Sequence, residues 1–217
     1  MQLIIQPSFG NPAAKRHWRE TLDTKVVIAS PPYVDELSGG ELHDILELHP
    51  TGSANFWGAT ANQDKHMATV RRGDVVLFTG ENHIRGIGEV GYSFHNAEFA
   101  NCLWEPDPIK GPYLNVYSLL SFRPVLIPYQ ELRDALGKPD SRDNFMGLRI
   151  IHDERVDAVF DSLGITTQTA DRAETERLLE TAQELARDLG RNDLLPVEAS
   201  HTSETSYQQA EREIVVS

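Results

Sequence analysis

Residues 54–94, ANFWGATANQDKHMATVRRGDVVLFTGENHIRGIGEVGYSF, decide the fold predicted for this chain. Within them, Val75–Phe78 is an apolar run of strand length, and Ile84–Val90 is a second strand candidate. The turn-forming residues Thr79–Asn82 lie between the two runs. Because strands this close in sequence pair antiparallel, the stretch predicts a β-hairpin.

Aromatic and small residues lie together ahead of this hairpin. Phe56 and Trp57 are followed directly by Gly58 and Ala59. A flat ligand needs a ring to stack on and a backbone that can come close to it, and this segment offers both. The alternative is that Trp57 and Phe78 are ordinary core residues, because buried aromatic side chains dominate protein interiors.

The glycines of the second strand candidate have two readings. Gly86–Gly91, GIGEVG, resembles a dinucleotide-binding fingerprint, but it lies inside a strand and not before a helix, so we reject that reading. Gly86, Gly88 and Gly91 instead allow bulges or the close approach of another group. The sequence contains no phosphate-binding loop, nucleophile elbow or metal-binding histidine pair, so it predicts no catalytic residues, no metal and no cofactor.

Length and composition favour a cytoplasmic protein without a membrane partner. The 217 residues suit one domain with an extension, or two small domains. No apolar run approaches the roughly 20 residues that cross a bilayer, and the first ten residues do not resemble a signal peptide. The single Cys102 excludes an internal disulfide.

The charge distribution is uneven. The net charge is −13, and roughly half of it follows Phe160. Affinity for phosphates depends on the local charge of the contacting face and not on the total. Basic residues cluster near the start of the chain and at Arg71-Arg72, and the alternative for each is an ordinary solvated surface residue.

The order of elements predicts an α+β domain with a strongly curved sheet. Besides the hairpin we expect the following: an edge strand at Gln2–Ile5, a loop or short helix at Asn11–Leu22, a core strand at Lys25–Ala29, a helix from Gly40, a helix at Asn96–Trp104, a strand at Pro112–Phe122, a helix at Tyr129–Leu136, a loop or short helix at Arg142–Arg149, and a helix at Ile150–Leu163.

A change of composition near Ile165 predicts a domain boundary. Residues 1–164 form the expected domain, and residues 165–217 the extension. In the extension, Thr166–Thr169 is a predicted linker, Asp171–Leu189 a charged helix, and Glu198–Gln209 a flexible polar tail.

Several of these motifs resemble the EVE branch of the PUA-like superfamily. They are Trp57-Gly58, the run Arg72–Phe78, the strand Gly86–Val90, and the pair Leu103-Trp104 ahead of Tyr113. The resemblance covers roughly residues 53–163. This stretch is most similar to EVE-like domains at the N-terminus of modification-dependent restriction proteins, where a nuclease or a motor domain follows. It implies a small, curved β-barrel with flanking helices.

The resemblance also implies a function, because EVE and YTH domains hold a flipped, modified base in an aromatic pocket. It predicts a non-catalytic reader of modified double-stranded DNA that serves a restriction system. Its pocket candidates are Ser30, Ser53, Asn55, Trp57, Phe78, Trp104, Tyr113 and Asn115. Its candidates for contacts to the nucleic-acid backbone are Lys15, Arg16, His17, Arg19, Arg71, Arg72 and Arg142.

Two other functions remain open at this stage. The chain is alternatively a PUA-like module that binds tRNA or mRNA, or an enzyme that acts on a small ligand. The absence of a catalytic motif disfavours the enzyme. For each polar candidate, a role in a turn or a helix cap is the alternative to a role in binding.

Overall fold

The computed structural model describes residues 1–152 and 154–188. The chain divides into two compact units, residues 1–172 and residues 173–217. Of the second unit, the described part is the remainder of a helix that begins at Gln168. Leu189 and the predicted polar tail, Glu198–Gln209, lie outside the described residues.

The described residues form seven strands and seven α-helices. The strands are β1 Leu3–Pro7, β2 Val26–Val27, β3 Ser53–Ala59, β4 Val75–Gly80, β5 His83–His95, β6 Asn115–Pro128 and β7 Arg149–Ile151. The helices are α1 Pro12–Thr21, α2 Gly39–Leu48, α3 Asp64–Met67, α4 Ala97–Leu103, α5 Tyr129–Ala135, α6 Glu154–Leu163 and α7 Gln168–Asp188. Short 3-10 helices form at Val34–Glu36 and Ala61–Gln63. No helix in residues 1–152 or 154–188 has both the length and the apolar character needed to span a bilayer.

The strands form one sheet in the order β2-β3-β6-β5-β4-β1-β7. Strands β1 and β4 are parallel, and the other neighbouring pairs are antiparallel. The long strands β5 and β6 pair along most of their length, with register shifts that bend the sheet. The sheet curves without closing, because β2 and β7 lie at its two ends in the described part of the chain.

The predicted hairpin is confirmed as β4 and β5. Its two-residue turn, Glu81-Asn82, has positive φ angles of 53° and 62°, which suit the right-handed twist of the flanking strands. At the start of β4, the carboxylate of Asp74 accepts hydrogen bonds from the backbone N–H groups of Gln2 and Arg71, both at 2.8 Å. The turn before the hairpin is thereby tied to the residue before β1.

Alternation along the strands builds a core on both faces of the sheet. One face covers a cluster that includes Trp18, Trp57, Phe78 and Tyr117 and receives residues from five strands. On the other face, α5 and α6 cover one end of the sheet, and α2 and α4 cover the other.

Glycines make this curvature possible where large side chains approach the strands. A Cβ atom on Gly86 would lie 2.6 Å from the ring of Phe122, and one on Gly88 would lie 3.1 Å from Leu119. The predicted close approach is therefore to side chains of the protein's own core.

Three predicted elements differ from the structure. β1 lies between β4 and β7 and not at an edge, because β7 was missed in a segment predicted as loop and helix. The core strand predicted at Lys25–Ala29 has only two residues, Val26–Val27, at the edge of the sheet. The last helix of the predicted domain begins at Glu154, since residues 149–151 pair with β1.

Candidate nucleic-acid interface

A cavity of about 350 Å³, partly open to solvent, lies beside Trp57. We call it the Trp57 cavity. Binding sites for small molecules commonly have volumes of about 300–1,000 Å³. The volume of the Trp57 cavity lies in this range, at the end that suits a ligand as small as one base. Its lining comes from the end of β1, from α1, from β3 and the segment after it, and from two loops: Gln6, Pro7, Asn11, Ala14, His17, Trp57, Gly58, Ala59, Thr60, Asn62, Gln63, Asp107, Lys110, Tyr113, Met146, Gly147 and Leu148.

Trp57 of β3 belongs to the core cluster that contains Phe78, and it also lines this cavity. The ring lies edge-on to Phe78, with centroids 5.7 Å apart, and 6.2 Å from Trp104. Only 5% of Trp57 is exposed, so the cavity reaches a ring that the core holds in place. Trp57 is therefore both a core residue and a residue of the cavity wall.

Gly58 brings the opposing loop close to the strand. A Cβ atom there would lie 2.8 Å from the carbonyl oxygen of Tyr113 and 2.9 Å from the Trp104 ring. Any larger residue would push Tyr113 outward. Glycine at this position thus sets the spacing between Trp57 and Tyr113, which both line the cavity.

His17 enters the cavity wall from α1. Its ring packs edge-on against Tyr113 at 5.0 Å between centroids, and 3% of the residue is exposed. Burial, and then the positive charge of Arg16, lower the pKa of His17 to about 4, against the opposing charge of Glu105. At neutral pH the imidazole is uncharged, so it offers one donor and one acceptor nitrogen.

Three residues that line the Trp57 cavity each contain a buried polar atom without a hydrogen-bond partner in the described part of the protein. These atoms are Gln6 Oε1, His17 Nε2 and Trp57 Nε1. A buried polar atom left unpaired costs about 1–3 kcal/mol. Three residues around the cavity therefore hold buried hydrogen-bonding capacity that the described part of the protein does not use.

Charged groups of both signs border the cavity. Lys110 and Asp107 belong to one loop, and the backbone N–H groups of Lys110 and Ile109 lower the pKa of Asp107. Lys15 of α1 forms an ion pair with Glu81, and Arg16 one with Glu105 at 2.6 Å. Two of the predicted phosphate-binding cations are thus partly neutralised.

The structure brings together some of the predicted pocket residues and separates others. Trp57 and Tyr113 line the cavity, and Phe78 and Trp104 lie behind Trp57. The indole N–H of Trp104 donates to Thr21 Oγ1 at 3.2 Å. Ser30 lies in a turn, where its hydroxyl donates to the carbonyl of Val27 at 2.8 Å.

Ser53 and Asn55 line a different cavity of about 380 Å³, together with Lys25 and His49. We call it the Ser53 cavity. The amide of Asn55 donates to the carbonyls of Thr21 and Leu22, at 3.0 and 2.9 Å. It therefore holds the end of α1 against β3.

Asn115 has a structural role of the same kind. Its amide donates to Asp64 Oδ1 at 2.7 Å and to the carbonyls of Ala59 and Thr60. This side chain fixes α3 and the segment after β3, which borders the Trp57 cavity.

The remaining predicted cations are dispersed. Arg19, on α1, is exposed, as are Arg71, Arg72 and Arg142. Arg71 donates to the carbonyls of Ala68 and Val70, both at 2.8 Å. In residues 1–152 and 154–188, no group of three or more His, Cys, Asp or Glu side chains is placed to hold a metal ion.

Sequence reasoning missed Gln6 and Lys110 as cavity residues. Gln6 lies in a strand whose partner β4 is about 70 residues away, and no local pattern distinguishes its side chain from other strand residues. Lys110 lies in a Pro- and Gly-containing loop that the sequence indicated only as a helix stop. His17 was grouped with the cations by its neighbours, but helical geometry turns it inward.

Comparison with known proteins supports the predicted fold through one solved structure. No protein-family model matches the chain, and no match was found among curated proteins. Among solved structures, the chain is similar to the N-terminal domain of Thermococcus gammatolerans McrB bound to m5C DNA. The similarity covers 76% of this chain and 98% of that one, with a TM-score of 0.57 and 19% sequence identity. The chain therefore shares the fold of an N-terminal McrB domain, and the predicted α+β class with a strongly curved sheet is confirmed.

Proposed function

We propose that this chain binds double-stranded DNA by taking one modified base, flipped out of the helix, into the Trp57 cavity. It acts as a non-catalytic reader. Flipping a base costs a few kcal/mol, and stacking and edge hydrogen bonds recover this cost. The observation that carries the proposal is that three residues lining one cavity with aromatic rings, Gln6, His17 and Trp57, each contain a buried polar atom without a hydrogen-bond partner in the described residues.

The revised pocket assigns a role to each of these groups. Trp57 and Tyr113 supply the faces for stacking, with Phe78 and Trp104 as rigid support. The indole N–H of Trp57 donates to a base edge, Gln6 Oε1 accepts from one, and neutral His17 does either. Ser30, Ser53, Asn55 and Asn115 are left out of this set because their side chains or positions serve the fold.

The backbone contacts in this proposal come from cations near the cavity. Lys110 at the rim and Lys15, Arg16 and Arg19 on α1 are the nearest set. Arg71, Arg72 and Arg142 supply more distant phosphate contacts. The ion pairs with Glu81 and Glu105 weaken attraction to unmodified DNA, so affinity comes to depend on the base in the cavity.

The likeness in fold to a domain bound to m5C DNA supports the same proposal. That domain is the N-terminal part of its protein. By analogy, we propose that this chain serves as the specificity module of a restriction system and directs a linked nuclease or motor domain.

The test measures fluorescence anisotropy with matched duplexes that contain 5-methylcytosine, 5-hydroxymethylcytosine, N6-methyladenine or no modification. We expect a clear preference for one modified duplex. Equal affinity for all four would contradict the proposal, and preference for single-stranded RNA would favour an RNA-binding module.

A matched pair of tyrosine variants tests the cavity itself. Tyr113→Ala removes a cavity wall, and Tyr33→Ala removes an equally half-buried ring that packs on Phe99 away from the cavity. Because stacking of a base on an aromatic ring contributes about 1–3 kcal/mol, we expect Tyr113→Ala to reduce affinity for the preferred duplex by about five- to a hundredfold. Tyr33→Ala should change it less than about twofold. A similar loss in both variants would place the binding site elsewhere.

A further inference from the structure

Two large apolar side chains are exposed on separate loops that border the Trp57 cavity. Ile109 is 92% exposed and lies between the cavity residues Asp107 and Lys110. Met146 is 73% exposed and lines the cavity itself. Single exposed apolar residues are common on protein surfaces, but two at the rim of one cavity need an explanation.

The loop around Ile109 holds this residue outward. The carboxylate of Asp107 accepts hydrogen bonds from the backbone N–H groups of Ile109 and Lys110, both at 2.9 Å. Asp107 and Gly111 also exchange two backbone hydrogen bonds, at 2.9 and 3.1 Å, and Gly111 has a φ of +79°. These hydrogen bonds fix the backbone of the loop from which the exposed Ile109 extends.

The loop around Met146 is anchored on both sides. Phe145 is 2% exposed and packs edge-on against Tyr129 at 5.0 Å. Arg149 forms a two-pronged ion pair with Asp143 and also bonds the carbonyl of Met146 at 3.4 Å. Met146 is therefore exposed at the tip of a short loop whose flanking residues, Phe145 and Arg149, are held in place by their contacts.

We propose that Ile109 and Met146 are wedge residues that enter the base stack of the duplex as the modified base leaves it. This inference rests on the proposed function. A flipped base leaves a gap in which its neighbours lose their stacking partner. Apolar side chains such as isoleucine and methionine fill gaps of this kind in other protein–DNA complexes. Here they stand at the rim, where the departing base must pass.

The experiment compares two duplexes that differ only opposite the modified base. One contains the preferred modified base paired with its complement, and the other has the same modified base opposite an abasic site. In the second duplex the modified base is already unpaired, so flipping it costs less and a wedge residue should contribute less to the binding affinity. The proteins are the wild type, the double variant Ile109→Ala with Met146→Ala, and the control Leu126→Ala. Leu126 is 63% exposed and lies away from the cavity on β6.

We expect the double variant to bind the paired duplex about tenfold more weakly than the wild type and the abasic duplex less than about twofold more weakly. Leu126→Ala should leave both affinities unchanged. An equal loss on the two duplexes would show that the residues only contact DNA, and no loss on either would show that they do not contribute. Both results overturn the wedge proposal and leave the cavity proposal standing. If the wild type prefers none of the modified duplexes over the unmodified one, the proposed function fails, and the wedge inference fails with it.

Discussion

The two cavities beside β3 have similar volumes, about 350 and 380 Å³, but different chemistry. In the Ser53 cavity, Asn55 donates to two backbone carbonyls, and His49 bonds Ser118 at 2.9 Å. In the Trp57 cavity, polar atoms of Gln6, His17 and Trp57 are unpaired within the described residues.

The use of hydrogen bonds by the lining side chains thus distinguishes a cavity whose residues serve the fold from a cavity that is a candidate for binding. A side chain that serves the fold uses its hydrogen bonds inside the protein, because unpaired buried groups lower stability. A side chain that serves binding keeps capacity for the ligand. Residue types alone do not make this distinction, since asparagine, serine and histidine occur in both settings.

The largest effect is expected at Trp57, where core and cavity meet. Trp57→Ala should lower the free energy of unfolding by about 3–5 kcal/mol, because it empties a site that is 5% exposed. Urea denaturation measures this loss. Trp57→Phe keeps an aromatic ring but removes the N–H together with the five-membered ring. It should bind the preferred duplex about fivefold more weakly and lower the free energy of unfolding by less than Trp57→Ala does. Full binding by Trp57→Phe would exclude the indole N–H as a contact to the base.

Acid should destabilise the protein through the two buried histidines. The pKa of His49 is lowered to about 4 by burial and then by the charge of Lys25, as that of His17 is by burial and Arg16. Between pH 6.5 and 4 the unfolded chain binds protons that the folded chain does not, so the free energy of unfolding decreases as the pH falls through this range. Each histidine contributes up to about 3 kcal/mol.

Thermal unfolding measured across this pH range tests that expectation. His17→Gln and His49→Gln each remove one titrating group and should each reduce the pH dependence. A variant with the full pH dependence would show that its histidine is protonated equally well in the folded state.

A smaller difference in stability is expected between Asn55 and Gln6. Asn55→Ala leaves the carbonyls of Thr21 and Leu22 without their donor and should cost about 2 kcal/mol. Gln6→Met, which removes an unpaired oxygen, should change stability by less than about 1 kcal/mol but weaken binding of the preferred duplex. Chemical denaturation and anisotropy of the two variants measure both effects. The reverse ranking in stability would remove the distinction between the two cavities.

The smallest effect concerns the cations of α1. Glu105→Gln releases Arg16 from its ion pair, and exposed pairs of this kind contribute little to stability. Affinity for DNA should rise about two- to threefold, and its salt dependence should become steeper, because one more phosphate is neutralised. A salt titration of the Kd measures this change. Glu20→Gln, at 4.0 Å from the same arginine, is the control and should give a smaller change.

Local patterns were sufficient for much of the fold. The hairpin followed from two apolar runs and a turn. The helix predicted from Gly40 is α2, where Ser38 and Glu41 form a capping box. The strand β7 could not be predicted, because three residues carry too little pattern and are strands only by pairing with β1. For the same reason β1 was placed at an edge.

The candidate site could be predicted only in part. Trp57, Tyr113, Phe78 and Trp104 were named from their residue types and the resemblance; Trp57 and Tyr113 line one cavity, and Phe78 and Trp104 contact Trp57 behind it. Ser30 and Asn55 were named by the same reasoning but have their hydrogen bonds elsewhere. Gln6 and Lys110 carried no signal that a sequence could show.

The sequence by itself determined where strands, turns and helices form and which rings are available, because propensities, caps and alternation act between near neighbours along the chain. Only the tertiary structure decided which of those rings border a cavity, which polar atoms stay unpaired, and that His17 is neutral. These properties depend on groups that are far apart in sequence, such as His17 with Tyr113 and Trp57 with Phe78. The pKa of a side chain and the use of its hydrogen bonds are set by the surroundings that folding assembles.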